Sequence, residues 1–226
     1  VDLQFALGAF LREESDFAAA DIVYQDILAT SKRSLDVVLR AKNELAALNM
    51  LKGDRAQAEK LVGEILAAEA KNPEALIKRA GMLIDDGKSQ DAIGDLRVVL
   101  GEHPDSVPGR LLMAAALEGT GDVSFAESEF AQAVDASERA SQPSLLFAKF
   151  LLRHGKRERA EKVLTESVAH DPRAVENLKM LAAIRLDNQD WRGAEDAANA
   201  IRAADSSDAD ISRILGAAYS GLEDYA

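Results

Sequence analysis

The stretch from Leu76 to Pro104 reads LIKRAGMLIDDGKSQDAIGDLRVVLGEHP, and it decides the fold of this chain. Residues 76–84 are apolar at helical spacing, and Asp85-Asp86-Gly87-Lys88 interrupts them. A second apolar stripe follows at Ala92, Leu96, Val99 and Leu100. Apolar residues at i, i+3 or i+4 and i+7 are typical of amphipathic helices, and Gly and Pro commonly follow helix ends. The stretch therefore predicts two helices joined by a short turn.

Alanine recurs at the same point of this unit along the whole chain. The series is Ala20, Ala58, Ala92, Ala126, Ala160 and Ala194. The first step is 38 residues and the other four are 34 residues each, and a period of 34 is typical of a repeated helix pair. The four extra residues of the first step amount to about one helical turn. We expect them around Thr30–Leu35, where they lengthen a helix end or a loop.

Two further series keep the spacing of the alanines. A small residue lies twelve positions earlier, at Gly8, Ala46, Ala80, Ala114, Ala148, Ala182 and, for a seventh unit, Gly216. The turn between the helices lies five positions before each alanine, at Ser15, Gly53, Gly87, Gly121, Gly155 and Gln189. Helices approach closely only where both present small side chains, and a larger residue there would overpack by about 1–3 kcal/mol. We therefore place both small-residue series at helix crossings.

The pattern resembles the tetratricopeptide-repeat family. The match is clearest where small residues, a turn glycine and a closing proline keep the family spacing, as at Ala80, Gly87, Ala92 and Pro104. Phe17, Trp191 and Tyr225 occupy the aromatic position that follows the turn. The resemblance implies an all-α fold, a right-handed α-solenoid superhelix of antiparallel helix pairs with about 13 helices. It implies one array over 1–226, with repeats at about 1–34, 35–72, 73–106, 107–140, 141–174, 175–208 and a partial repeat at 209–226.

Both ends of the array are expected to need neighbours. Val1 falls at the first position of a repeat, and the chain stops where a second helix should begin. The last helix carries Ile211, Ile214, Leu215 and Tyr219, which we expect to be uncovered. Finished solenoids end in polar capping helices. We therefore expect a longer array, or self-association through the array ends.

Composition narrows the class of partner. The formal net charge of −12 argues against nucleic acid, because phosphate binding needs a basic surface. There is no cysteine, hence no disulfide or thiolate, and no apolar run of about 18 residues that would span a membrane. We predict a protein or peptide partner. Ala-rich helices with many Asp and Arg favour a bacterial source, with the compartment open between cytoplasm and periplasm or envelope.

No motif predicts an enzyme, a metal site or a cofactor. His103, His154 and His170 lie near expected helix ends, and no two of them have the i, i+4 spacing of a zinc pair. The Gly81–Ser89 stretch has one residue too many between its glycines for a phosphate loop. Asp205–Asp210 lacks the Gly and Glu of a calcium loop, and we interpret it as the N-cap region before Ile211.

The family resemblance implies that the first helices of the repeats line a concave face that binds a peptide or helix. Its inner positions give the candidate site Phe5, Asn43, Ile77, Leu111, Leu145, Lys149, Leu152, Lys179 and Arg213. The predicted groove has an apolar centre and a basic stretch at Lys149, Lys179 and Arg213. The alternative interpretation is that its leucines pack against neighbouring helices. A clamp for peptide carboxylates is not predicted, because Ile77 and Leu111 follow Asn43 in this row.

The repeat pattern and the candidate groove are consistent with two functions. The first is a protein–protein interaction scaffold that binds a partner in its groove. The alternative is a regulatory or structural segment of a larger bacterial envelope or secretion assembly, packed against itself or its own chain. A weaker resemblance to tetratricopeptide-repeat proteins of bacterial envelope and exopolysaccharide-export systems motivates the alternative.

Overall fold

The computed structural model describes residues 1–30 and 34–224. These residues form thirteen α-helices and no strand, as the sequence predicted. The helices are α1 (Asp2–Glu13), α2 (Phe17–Ala29), α3 (Leu35–Leu51), α4 (Arg55–Ala68), α5 (Pro73–Asp85), α6 (Ser89–Glu102), α7 (Val107–Thr120), α8 (Val123–Ala136), α9 (Ser141–Arg153), α10 (Arg157–His170), α11 (Val175–Asp187), α12 (Trp191–Ala204) and α13 (Asp210–Asp224). None of the described helices is both long and apolar enough to cross a membrane.

The helices belong to two compact units, Val1–Pro104 and Asp105–Ala226. Unit 1 contains α1–α6 and unit 2 contains α7–α13. Inside each unit, the two helices of a repeat pack on each other, and the first helix of the next repeat packs on the second helix of the one before. The predicted single array over 1–226 stays a prediction.

The turn positions are confirmed by the backbone. Each of the six has a positive φ, from 60° at Gln189 to 86° at Gly121. Glycine adopts this left-handed conformation at no steric cost, which explains why four of the six turns use it. Side-chain caps begin many of the helices that follow: Asp16, Asp54 and Asp190 each accept a hydrogen bond from the backbone three residues on.

The crossings are also where the repeat predicts them, apart from one that stays a prediction. All six alanines of the series from Ala20 to Ala194 are fully buried. A Cβ added to Gly8 would lie 2.6 Å from the ring of Tyr24, so only glycine fits this crossing. At Gly216 the crossing stays a prediction: the residue is exposed and an added Cβ would meet no atom within 4 Å, and the described residues contain no second helix of this repeat for it to face, as Gly8 faces Tyr24 of α2.

Helix α13 packs on the preceding repeat with the same face as α11, since Ile211, Leu215 and Ala218 lie 34 residues after the buried Asn177, Leu181 and Ile184. This helix buries Ile211, Ile214, Leu215 and Ala218 in a core cluster that it shares with α11 and α12. Its close crossing lies at Gly221, where an added Cβ would come within 2.3 Å of the Trp191 ring. The expectation that the three large apolar residues are uncovered is therefore wrong. Tyr219 is 46 % exposed and donates a hydrogen bond to Glu195, and Tyr225 lies outside the described residues.

The four extra residues between Ala20 and Ala58 lengthen a helix. This is one of the two predicted options, the other being a longer loop. Helix α3 has 17 residues, whereas α5, its counterpart in the next repeat, has 13. Both helices stop at the same repeat position, so the extra turn of α3 is at its N-terminal end. The residues between Thr30 and Ser34 lie outside the described residues.

Candidate functional site

In unit 1, two residues of the predicted inner row are core residues. Phe5 is 3 % exposed, and its ring lies between the Tyr24 ring, with centroids 6.3 Å apart, and the Arg40 guanidinium, 3.9 Å from the ring centroid. A cation over an aromatic face is an attractive contact. Phe5 is therefore enclosed by its own unit, and we leave it out of the candidate surface.

Asn43 is likewise buried, at 2 % exposure, and its amide is fully engaged. Its Nδ2 donates to Asn72 Oδ1 (3.0 Å), and its Oδ1 accepts from Lys78 Nζ (3.2 Å). Burial lowers the pKa of the Lys78 ammonium, which Glu74 approaches only to 3.9 Å. A buried polar group that loses its partner costs free energy, so this network binds α3 to α5 and does not offer a free amide. Asn43 is also left out.

Three apolar residues of the row are half-buried. Ile77 is half-buried on α5 in unit 1. In unit 2, Leu111 and Leu152 pack against the core cluster around Phe130, Phe147 and Phe150. For these two leucines the structure matches the alternative interpretation, in which they pack against neighbouring helices.

The remaining apolar residue of the row, Leu145, is also half-buried against this core cluster, and in addition it borders an open cleft in unit 2. This cleft lies between the N-terminal halves of α9 and α11 and has a volume of about 450 Å³. Leu145, Leu146 and Val175 supply its apolar lining, and Lys149 stands one helical turn from Leu145. We call it the α9–α11 cleft. Two predicted site residues, Leu145 and Lys149, are thus brought together in one concave feature.

The cleft has a rigid base. Asn177 Nδ2 donates to the Ser141 backbone carbonyl (2.9 Å) and to Ser167 Oγ (2.9 Å), which ties α11 to α9 and α10. Ser141 Oγ donates to Asp171 Oδ2 (2.6 Å) and helps keep the pKa of that carboxyl low. These side chains are engaged with each other, so the chemistry left for a guest is the apolar lining with Gln142, Lys149 and Glu176 at its border.

Lys149 is the unengaged cation of the predicted basic stretch. It is exposed and has no acidic partner among the described residues. By contrast, Lys179 Nζ lies 2.6 Å from Asp208, 3.3 Å from Glu176 and 3.5 Å from Asp210. Arg213 Nη2 lies 2.8 Å from Asp210. A free basic stretch of three residues is therefore not present, because two of them are already paired.

The paired acids show the electrostatic effect of these contacts. The hydrogen bond from Lys179 keeps the pKa of Asp208 below its ordinary value, and that from Arg213 does the same for Asp210. The hydrogen bond to Asp208 raises the pKa of Lys179. Asp208 Oδ1 also accepts from the Asp210 backbone (2.9 Å) at the start of α13, in agreement with the predicted N-cap role of this acidic stretch. Over residues 1–30 and 34–224, no cluster of His, Cys, Asp or Glu has the size needed to hold a metal ion.

Seven residues that line the cleft were not predicted from the sequence: Ser141, Gln142, Leu146, Ala174, Val175, Glu176 and Asn177. Gln142 and Glu176 stand at the second position of successive repeats, which the family uses for ligand contacts, so reading that position would have found both. No such signal pointed to Leu146 and Val175, because an apolar residue beside the inner row can equally be a core residue or a ligand contact.

The comparisons with known proteins agree with this architecture. The tetratricopeptide-repeat family model matches residues 50–107 and 145–209, which is more than half of the chain. No curated protein sequence matches the chain. Solved structures do, at low identity, and they show the fold alone.

Three of these structures cover nearly all of the chain. PilW, described as a widely conserved type IV pilus biogenesis factor, has a TM-score of 0.73 and 12 % identity over 95 % of this chain and 97 % of PilW. PilF of Pseudomonas aeruginosa has a TM-score of 0.68 and 13 % identity over 95 % and 96 %. A tetratricopeptide-repeat protein from Parabacteroides merdae has a TM-score of 0.66 and 18 % identity over 96 % and 84 %. With the helix pairs, turns and crossings described above, the family match shows that the chain belongs to the tetratricopeptide-repeat family.

Proposed function

We propose that this protein is a non-enzymatic interaction scaffold that binds a peptide segment of a partner protein in the α9–α11 cleft. The observation that carries the proposal is the juxtaposition of an open apolar cleft with the unpaired ammonium of Lys149. An apolar pocket with a few placed polar groups is the usual form of a binding site. Membership of a family of protein-binding repeats supports the same conclusion.

The chemistry of the cleft indicates the kind of segment it would take. Leu145, Leu146 and Val175 suit one or two apolar side chains, and Lys149 suits an acidic group next to them. Glu176 on the opposite helix would disfavour an acid on its side. We therefore expect a segment in which an apolar residue is followed by Asp or Glu.

The test is capture of partners from a lysate of the source organism, identified by mass spectrometry. We expect Leu145→Glu and Lys149→Glu each to remove the same specific partner that the unaltered chain captures. Phe125→Glu is the matched control, because Phe125 is 70 % exposed on α8 and outside the cleft. Lys149 is exposed, so its variant should keep the helical circular dichroism even if Leu145→Glu does not. Unchanged capture by Lys149→Glu and by a folded Leu145→Glu would reject the cleft as the site.

The alternative function, a segment of a larger envelope or secretion assembly, stays a prediction. Pilus biogenesis is a role of PilW, and at 12 % identity the likeness of this chain to PilW extends to the fold alone.

A further inference from the structure

In two repeats, a polar pair joins the inner row to the start of the next first helix. Asn43 Nδ2 donates to Asn72 Oδ1 (3.0 Å), and Lys179 Nζ lies 2.6 Å from Asp208 Oδ2. The members of each pair are 29 residues apart, so both pairs hold the same two positions of the repeat. The second member stands just before the next first helix. We call the two places the inner position and the cap position.

The side chain at the cap position also serves the helix that follows it. Asn72 Oδ1 accepts from the backbone N–H of Ala75 as well as from Asn43. Asp208 Oδ1 accepts from the backbone N–H of Asp210. One side chain thus satisfies a helix N-terminus and reaches across to the inner position. In these two repeats it bridges successive first helices.

At the α9–α11 cleft, both positions are apolar. The same spacing of 29 residues pairs Leu145 with Ala174, and both of them line the cleft. The methyl group of Ala174 can neither cap α11 nor reach across to Leu145, and α11 has no side-chain cap. The cleft therefore lies where other repeats have a polar bridge.

Ala174 is an unfavourable residue for its place. Its backbone, with φ −71° and ψ 76°, is close to that of Asp190, which has φ −81° and ψ 74° and caps α12. The conformation is thus suited to a capping side chain. Asn, Asp and Ser stabilise a helix N-terminus better than Ala does. Local rules of this kind are broken mainly at functional or strained sites.

One repeat earlier, Leu111 and Ala140 hold the same two positions in a different setting. Ala140 has a ψ of 149°, and it follows Glu138 and Arg139, which both have positive φ. The chain therefore enters α9 by a different path from the one by which it enters α11. Ala140 is not among the residues that line the α9–α11 cleft, so it provides a matched control.

We propose that Ala174 is a specificity-determining residue of the α9–α11 cleft. By omitting the polar cap side chain, it keeps the cleft open for an apolar side chain of the partner, which lies against Leu145 and Ala174. This inference rests on the proposed function and adds which residue opens this repeat and which part of the ligand it selects. A polar ligand side chain is disfavoured there, because the two residues offer its polar atoms no side-chain hydrogen bond.

The experiment measures binding of two terminally blocked tetrapeptides, Gly-Leu-Asp-Gly and Gly-Ser-Asp-Gly, by NMR from the backbone amide signals of the chain. We expect the leucine peptide to shift the signals of Lys149 and of residues 175–177, with a Kd in the millimolar range. The serine peptide should bind at least about fivefold more weakly, because it lacks the apolar contact.

The deciding variant is Ala174→Asn. It should weaken binding of the leucine peptide at least about fivefold, because its amide covers the apolar lining at Leu145. It should also raise the midpoint of urea denaturation, because Asn caps α11. Weaker binding together with higher stability cannot result from unfolding. Ala140→Asn makes the same change at the same repeat position outside the cleft, and it should bind as the unaltered chain does.

Four results would overturn the role of Ala174 and leave the cleft as the site, provided that Lys149→Glu still weakens binding. They are undiminished binding by Ala174→Asn, a lower denaturation midpoint of this variant, equal weakening by Ala140→Asn, and equal binding of the two peptides. The proposed function fails separately, and the role of Ala174 with it, if the leucine peptide shifts no signal at the cleft or if Lys149→Glu binds it equally well.

Discussion

The same position of the inner row is enclosed in the first two repeats of unit 1 and open at Leu145 in unit 2. In unit 1, Phe5 and Asn43 are enclosed by Arg40, Asn72 and Lys78. In unit 2, the corresponding Leu145 borders an open cleft that Leu146 and Val175 line together with polar residues. Position in the repeat does not by itself decide whether a side chain remains accessible, because the contacts made by neighbouring helices differ. The predictions below test this difference between the closed row, Phe5 and Asn43, and the open position at Leu145.

The largest expected effect is the loss of stability on truncating the closed row. Phe5→Ala should lower the free energy of unfolding by about 3–5 kcal/mol, because it empties a buried site under Tyr24 and Arg40. Leu145→Ala should cost only about 1–2 kcal/mol, since this side chain is half-buried. Urea denaturation followed by circular dichroism measures both. Equal costs would mean that the two rows do not differ in burial.

A smaller effect is expected from a pair of glycines at the same repeat position. Gly8→Ala should destabilise by about 1–3 kcal/mol, because the new Cβ would meet the fully buried Tyr24 ring. Gly216→Ala should stabilise by about 0.5–1 kcal/mol, because it replaces Gly in an exposed helix with open space around it. The same denaturation experiment compares them. If both changes stabilise, the close crossing at Gly8 is wrong.

The smallest expected effect is a change in the pKa of Asp208, which is paired with Lys179. In the folded protein the Lys179 hydrogen bond keeps the pKa of Asp208 below the ordinary 3.8, so this contact stabilises the fold fully above that pH. The contribution is lost as pH falls through the lowered folded value. Lys179→Met should raise the pKa of Asp208 towards 3.8, measured by NMR titration of its carboxyl carbon. Lys149→Met is the control and should leave it unchanged, and a shift in both would mean that Lys179 is not the cause.

The repeat architecture could be predicted closely, but the site only in part. Spacing alone located the turns from Ser15 to Gln189 and the crossings from Ala20 to Ala194, because each has one geometric requirement, a positive φ or a short side chain. The inner row has no such requirement. Phe5 is as apolar as a ligand anchor, and one of the groups that cover its ring is Arg40, which stands 35 positions later and which no spacing rule connects to it.

The sequence by itself determined the period, the helix pairs, the turns and the family, because these depend on local conformation and on contacts repeated at constant separation. Tertiary structure alone decided that Ile211, Ile214 and Leu215 of α13 are covered by α11 and α12. It also decided that Lys179 is paired while Lys149 has no acidic partner among the described residues. These features depend on contacts between side chains of different helices, and such contacts are a property of packing in three dimensions.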